Sequence, residues 1–345
     1  MRPKIIARCI TSALLCLLAG KPLLADSTQY SIQNIFKPRS APANSILDIA
    51  WIVIAICTLI FVVVSGLLIY AIIRFRARKD DDSSEPAQIY GSNQIEMAWT
   101  VIPLLIVLVL ILVTARTTIE IDHPALPDNT LRIKVVGHQW WWEVIYPEQG
   151  FITANEVHIP LSTEDAPRHT RIELESADVI HSFWVPQLGG KRDLLPNQPN
   201  QIWYEPLEAG VYLGNCAEFC GTQHANMLIR VIVDTPEEFD AWLKKQKSPP
   251  RQDKSVASGR HLFTSLACIN CHAVGDIGAR NGFGPDLTHF MSRSTLGAGV
   301  AKNNKANIYQ WLEDPNSLKP GCYMPNMKLS EKQLNQLTDY LLTLN

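Results

Sequence analysis

Two long uncharged apolar runs constrain this chain more than any other feature. Residues 49–73 and 97–115 contain no Asp, Glu, Lys or Arg. At 1.5 Å per residue, helices of these lengths reach about 37 Å and about 28 Å, enough to cross a bilayer's hydrocarbon core. Uncharged runs of this length are expected as membrane-spanning helices. Pro103 interrupts the second, which membrane helices tolerate. Two buried helices of a soluble protein are the competing reading. The joining segment carries Arg74, Arg76, Arg78 and Lys79. The positive-inside rule puts it in the cytoplasm, and its acids, Asp80, Asp81, Asp82 and Glu85, weigh little there. Everything after Arg116 is then expected outside the cytoplasmic membrane.

Arg2, Lys4 and Arg8 precede an apolar run at 13–19, the pattern of a secretory signal over residues 1–25. An uncleaved anchor is the alternative, because Leu23 fits the small-residue cleavage rule poorly. The 345 residues leave room for two further domains, and a net charge of -2 argues against a nucleic-acid partner.

Residues 116–234 read as short β runs broken by turns, at 131–136, 140–145, 171–174, 180–185, 201–205 and 228–233, which predicts a sandwich or barrel. Gly189–Gly190 and the 196–199 stretch are turn signals. Thr235 and Glu238 form a capping box with Pro236 in the first turn, so a helix follows, with Phe239, Trp242 and Leu243 on one face. Pro249–Pro250 marks a linker at 247–254. The remainder, 255–345, predicts a small helical domain, with helices at 255–266, 307–313 and from Ser330 onward. Gln333 completes a second capping box there, and Leu334, Leu337, Leu341 and Leu344 share a face.

Of eight cysteines, Cys216 and Cys220 are the most telling, because His224 and Met227 follow closely. Thiolate, imidazole and thioether form a soft ligand set suited to copper, zinc or iron–sulfur chemistry. A structural zinc site would more often use Cys-x₂-Cys pairs without methionine. A Cys216–Cys220 disulfide is the bland alternative in an oxidising compartment, but it needs neither His224 nor Met227.

Cys268-Ile269-Asn270-Cys271-His272 fits the attachment signature of a c-type haem, with His272 as proximal ligand. A redox Cys-x-x-Cys pair is the rival reading, and it usually sits in a βαβ context that this segment lacks. The sixth iron ligand should be a downstream methionine or histidine: Met291, Met324, Met327 or His289.

The Cys216–Met227 segment resembles the dinuclear copper-A motif of cytochrome c oxidase subunit II. The stretch Asp178-Val179-Ile180-His181-Ser182-Phe183-Trp184 is similar to that family's upstream histidine strand. The resemblance implies that Cys216 and Cys220 bridge two coppers, that His181 and His224 bind one each, and that Met227 and the Glu218 carbonyl complete the shells. It further implies a magnesium or manganese ion shared with subunit I through the Glu218 side chain. Gly137-His138-Gln139-Trp140-Trp141-Trp142 is similar to the family's aromatic stretch, with Trp140 at the electron-input position. Core packing or interface anchoring is an equal reading for Trp141 and Trp142. Glu96-Met97-Ala98-Trp99-Thr100 matches the start of the family's second span, which implies Glu96 at the mouth of a proton path. A glutamate at a helix start is more often a dipole contact.

The C-terminal part resembles the fused cytochromes of caa3-type oxidases through 311–315, Lys319-Pro320-Gly321-Cys322-Tyr323-Met324-Pro325 and Gly284-Pro285-Asp286-Leu287-Thr288-His289. It selects Met324, which precedes a proline, as the second axial ligand. The resemblance runs from about Phe36 to the C-terminus. Departures are Ala177 where an acid often helps cytochrome docking, Trp141 for a tyrosine, Asn197 for a glycine and Cys322 for an asparagine.

The implied architecture is membrane-anchored and multidomain: a transmembrane hairpin (26–116), an all-β cupredoxin-like copper-A domain (117–246), a linker (247–254) and an all-α class I cytochrome c domain (255–345). The implied function is electron transfer from haem c to copper-A and on to haem a of subunit I, in a proton-pumping oxidase that reduces O2 to water. Partners would be subunit I with haem a and Cu-B, subunit III, membrane lipid, and a donor such as cytochrome c or the bc1 complex. The place would be a bacterial cytoplasmic membrane, with both metal domains on the periplasmic side. A nitrous-oxide reductase would add a propeller that has no room here. A copper chaperone needs no covalent haem, and quinol-oxidase subunits lack these copper ligands. A free-standing membrane electron shuttle is the remaining rival.

Overall fold

The computed structural model describes residues 33–76, 88, 90–251, 253–278 and 282–345. The expected signal segment, with Arg2, Lys4 and Arg8, and the basic residues Arg78 and Lys79 lie outside the described residues.

Two helices, α1 (Ala41–Arg74) and α2 (Asn93–Asp122), are long and apolar enough to cross a membrane. Both run past the apolar stretches that predict them. The Ser40 hydroxyl accepts the Ala43 N–H and a proline sits in the first turn, which starts α1 eight residues before the apolar run. An Arg116–Glu120 pair at 2.9 Å carries α2 into charged sequence. Leu59, Phe61, Ile73 and Leu112 are each more than 55% exposed. Such a surface suits lipid or another apolar partner rather than water. The helix ends are tied to the domain that follows. Arg39 N–H donates to the Gln187 carbonyl at 2.7 Å, Trp203 Nε1 to Ile121 at 2.8 Å, and Arg192 pairs with Asp122.

Ten strands form that domain: β1 (Leu131–His138), β2 (Trp141–Tyr146), β3 (Phe151–Ala154), β4 (Glu156–Pro160), β5 (Thr170–Ser176), β6 (His181–Trp184), β7 (Arg192–Leu194), β8 (Asn200–Tyr204), β9 (Gly210–Cys216) and β10 (Leu228–Asp234). They make two five-stranded sheets, ordered β3-β2-β1-β5-β8 and β4-β10-β9-β6-β7. Pairing is antiparallel except for β1 with β5 and β10 with β4. Alternate residues point between the sheets: Trp142, Val144 and Tyr146 from β2 face Ile229, Val231 and Val233 from β10, all essentially buried. Four strands lie outside the β runs legible in the sequence. The shortest, β7, has three residues, and β9 carries glycines at both Gly210 and Gly214, so neither shows a clean alternation.

Helix α3 (Pro236–Gln246) begins with the expected Thr235–Glu238 capping box and lays Trp242 against His158 and Tyr146. The chain is tied to the next domain where α3 ends and the 247–254 segment begins. Gln246 Nε2 donates to Ser292 Oγ at 3.0 Å, and His289 Nε2 meets the Ser248 carbonyl at 3.0 Å.

The C-terminal domain has α4 (Ala257–Ser265), α5 (Lys305–Glu313), α6 (Pro315–Leu318) and α7 (Glu331–Leu341). The Ser330–Gln333 capping box is present. The domain is not purely helical. Two short hairpins intervene, β11 (Ala273–Val274) with β12 (Ile277–Gly278) and β13 (Thr295–Leu296) with β14 (Ala301–Lys302), each too short to leave a periodic signal. Leu344 is not on the last helix, which ends at Leu341. It is buried nonetheless, because Met291 N–H bonds its carbonyl at 2.7 Å and folds the tail onto the core.

Candidate metal centres

The first centre lies where β6, the end of β9 and the following loop meet. His181 Nδ1 is 3.8 Å from Cys216 Sγ, and Cys216 Sγ is 3.8 Å from Cys220 Sγ. Cys220 Sγ is in turn 3.7 Å from His224 Nδ1 and 3.8 Å from Met227 Sδ. The Glu218 carbonyl approaches Cys216 Sγ at 3.1 Å. The ligand atoms of His181, Cys216 and Cys220 all fall within 4.8 Å of one another, the one such group among the described residues. Both thiols are free, as a metal site needs, and the alternative of a Cys216–Cys220 disulfide is not formed.

Local structure explains the convergence. Cys216 N–H bonds the Met227 carbonyl at 3.0 Å and Ala217 N–H bonds the Ser182 carbonyl at 2.9 Å, so the loop is laced to its own strands. A Cβ on Gly137 would sit 2.8 Å from the His181 ring, so only glycine lets β1 pass there. The Cys220 carbonyl takes both Gln139 Nε2 at 2.7 Å and Trp140 Nε1 at 2.9 Å.

Asp178 is a functional residue the sequence reading passed over. Its Oδ1 lies 2.8 Å from His181 Nε2. That bond leaves Nδ1 turned to the sulfurs, and a carboxylate behind a histidine raises its basicity as a ligand. Burial alone would lower the His181 imidazole, but Asp178 and Cys216 outweigh it and hold its pKa above the ordinary value. Burial likewise opposes ionisation of Asp178, yet bonds from His181 and the N–H groups of Gln139 and Val179 bring it below the usual carboxylate range. The two thiols titrate as a pair: the bond from Cys220 pulls Cys216 down to about 3 and pushes Cys220 up. Five soft donors and one carbonyl, already converging, fit a copper pair bridged by two sulfurs.

Trp140, 6% exposed, is buried, and Trp142 is core, while Trp141 stacks on His138 at 4.4 Å. Glu218 is exposed beside Phe219, itself 76% exposed. Glu96 is exposed in the first turn of α2.

The second centre is a 3-10 turn, Cys268–Asn270, followed by His272, whose N–H bonds the Cys268 carbonyl at 2.9 Å. Cys268 and Cys271 are free thiols. His272 Nδ1 meets the Pro285 carbonyl at 2.8 Å, which fixes the ring and frees Nε2. Burial lowers the His272 pKa, opposed by that carbonyl, and so favours the neutral imidazole, the form in which histidine binds metals. A Cβ on Gly284 would lie 2.6 Å from His272 Cε1. Of the candidate second ligands, His289 is engaged with Ser248, while Met291 and Met324 both pack against the domain core. Met327 is 39% exposed. The Met324 sulfur receives the Trp311 indole N–H at 3.0 Å. Two thiols, an oriented neutral imidazole and a thioether fit a covalent haem c.

Three family models match in chain order: cytochrome c oxidase subunit II transmembrane domain over residues 28–116, its periplasmic domain over 153–234, and cytochrome c over 256–345. The chain is 36% identical to cytochrome c oxidase subunit 2 of Alkalihalophilus pseudofirmus over 314 residues, covering 89% of each chain. The chain belongs to the cytochrome c oxidase subunit II family. Further relatives of the same name come from Bacillus sp. (strain PS3), 37% identical over 78% of this chain and 80% of that one, and from Bacillus subtilis, 32% identical over 95% and 96%. Two apolar helices, a cupredoxin-like β domain and a C-terminal cytochrome c domain are therefore its architecture, consistent with a caa3-type fusion. The periplasmic domain implies copper-A and the cytochrome domain a haem c.

Proposed function

We propose that this subunit takes electrons at haem c, passes them through copper-A and delivers them to haem a of subunit I, where oxygen is reduced and protons are pumped. The convergence of Cys216, Cys220, His181, His224 and Met227 at 3.7–3.8 Å carries this reading. Cys216 and Cys220 would bridge the coppers, with His181 and His224 on one copper each and Met227 and the Glu218 carbonyl closing the shells. When bound, a copper pair held by both thiolates would share one electron over two metals, so little would rearrange on reduction. The β scaffold helps by holding its donors in one geometry. Cys268 and Cys271 would attach the haem, with His272 and Met324 as axial ligands.

The exposed Glu218 carboxylate suits a magnesium or manganese ion completed by subunit I, since hard oxygen ligands favour such ions. Glu96, exposed at the start of α2, suits the mouth of a proton path, and Trp140, bonded to the Cys220 carbonyl, suits electron input. Residues 1–25 would be a signal, 26–116 the anchor, 117–246 the copper domain, 247–254 the linker and 255–345 the haem domain. The setting would be a bacterial cytoplasmic membrane, with both metal domains periplasmic, subunit III alongside, and cytochrome c or a bc1 complex as donor. Cys216→Ser in the purified complex should abolish the mixed-valence copper spectrum completely. A variant that keeps the spectrum refutes the assignment.

A further inference from the structure

The copper and haem domains share a buried polar seam. Lys319, 3% exposed, lies on the haem side with its ammonium among three carbonyls: Trp140 at 2.7 Å, Asn226 at 2.8 Å and Gly297 at 2.9 Å. An ammonium has three donors, and here each has an acceptor, two of them on the copper domain. Glu156, 4% exposed on the edge strand β4, accepts the Ser294 N–H at 2.9 Å, the Thr295 N–H at 3.2 Å and both residues' hydroxyls. Leu228 N–H donates to the Ala298 carbonyl at 3.1 Å, and Arg230 Nη1 to Thr295 Oγ1 at 2.7 Å. The haem domain thus covers an open edge of the copper sandwich, a place where unpaired backbone invites a partner.

Relative motion is the default between domains on a linker. Two features oppose it here. The linker is short and its start is bonded to the haem domain through Ser248, so the domains face each other at an effective concentration on the order of mM. The seam matches donors to acceptors one by one, including two buried charges.

The docked position also aligns a path. Tyr323, next to Met324, has its ring centroid 4.8 Å from that of Trp140. Its hydroxyl donates to Gln139 Oε1 at 3.0 Å, and Gln139 and Trp140 both donate to the carbonyl of Cys220. Contact is continuous from the methionine of one centre to a sulfur ligand of the other.

We infer that the haem domain is a fixed donor, latched by Lys319 and Glu156, and that Tyr323 is the positioning residue that couples it to Trp140. The inference rests on the function proposed above. In the transfer one electron leaves the haem iron and is gained by the copper pair. Tyr323 and Trp140 make and break no bond and lose no proton; they serve as medium.

The test uses the purified oxidase complex. After rapid photoreduction of haem c, transfer to copper-A in the unaltered protein should not slow as glycerol raises viscosity; inverse scaling with viscosity overturns the fixed donor. In hydrogen exchange, the Ser294, Thr295 and Leu228 amides should be protected at least tenfold over an open loop, and Lys319→Met or Glu156→Gln should remove that protection. Exchange at open-loop rates in the unaltered protein overturns the latch. Tyr323→Leu should slow internal transfer at least tenfold, with Tyr323→Phe restoring it to within about twofold, while both midpoint potentials stay put. An unslowed Tyr323→Leu rejects the coupling role. Should the unaltered complex lack the copper or haem signal altogether, the parent reading fails instead.

Discussion

The two metal centres are built on opposite principles. In the copper loop, donors from β6, from the end of β9 and from the turn before β10 already stand within 4 Å of a neighbouring donor. Backbone bonds and Asp178 hold them there. In the haem segment the donors are contiguous in sequence, yet they form no such cluster among the described residues. The difference follows from what each centre holds. A pair of small ions offers no surface to fold around, so the protein must supply the geometry in advance. A porphyrin would bring a large rigid surface of its own, so on the reading proposed above the chain would need only to orient His272 and present a thioether from elsewhere. Rigid sheet suits the first and short helices joined by irregular segments suffice for the second.

Replacing both Cys268 and Cys271 by alanine should sharpen this contrast most. Covalent haem should vanish completely on a denaturing gel stained for haem, while the copper spectrum persists. Loss of both would mean that the copper loop depends on the haem domain for its shape. Next in size is Trp142→Ala, which empties a fully buried site between the sheets. It should cost about 3–5 kcal/mol in denaturant unfolding followed through the copper band. Asp178→Asn keeps the shape but removes the negative charge behind His181. Copper affinity, measured by competition with a chelator, should fall about 10–100-fold with haem attachment unchanged. Trp311→Phe removes one donor from the Met324 sulfur. If Met324 is the second axial ligand, as proposed, its sulfur should donate more strongly to ferric iron and the haem midpoint potential should fall, by about 1 kcal/mol in redox titration. The smallest effect belongs to Ser330→Ala, which removes the cap of α7. About 1 kcal/mol of haem-domain stability should go, with the copper site untouched.

Local pattern alone specified a good deal here. Uncharged apolar runs specified α1 and α2, two capping boxes specified the starts of α3 and α7, and the spacings at Cys216–Met227 and Cys268–His272 narrowed the chemistry to a soft-metal site and a c-type haem signature. These signals are legible because each operates over one or two helical turns or a single loop, where neighbours in sequence are neighbours in space. Packing decided the rest. Asp178 lies only three residues before His181, yet its role shows only once β6 turns His181 Nδ1 toward Cys216, 35 positions away, and leaves Nε2 to the carboxylate. Lys319 reads as an ordinary solvated side chain until the fold brings it against Trp140, 179 positions away. Glu156 likewise reads as a surface acid until the haem domain closes over β4. No periodicity encodes such meetings, because they depend on how sheets stack and domains dock, and a charged residue buried by docking carries the same letter as one left in water.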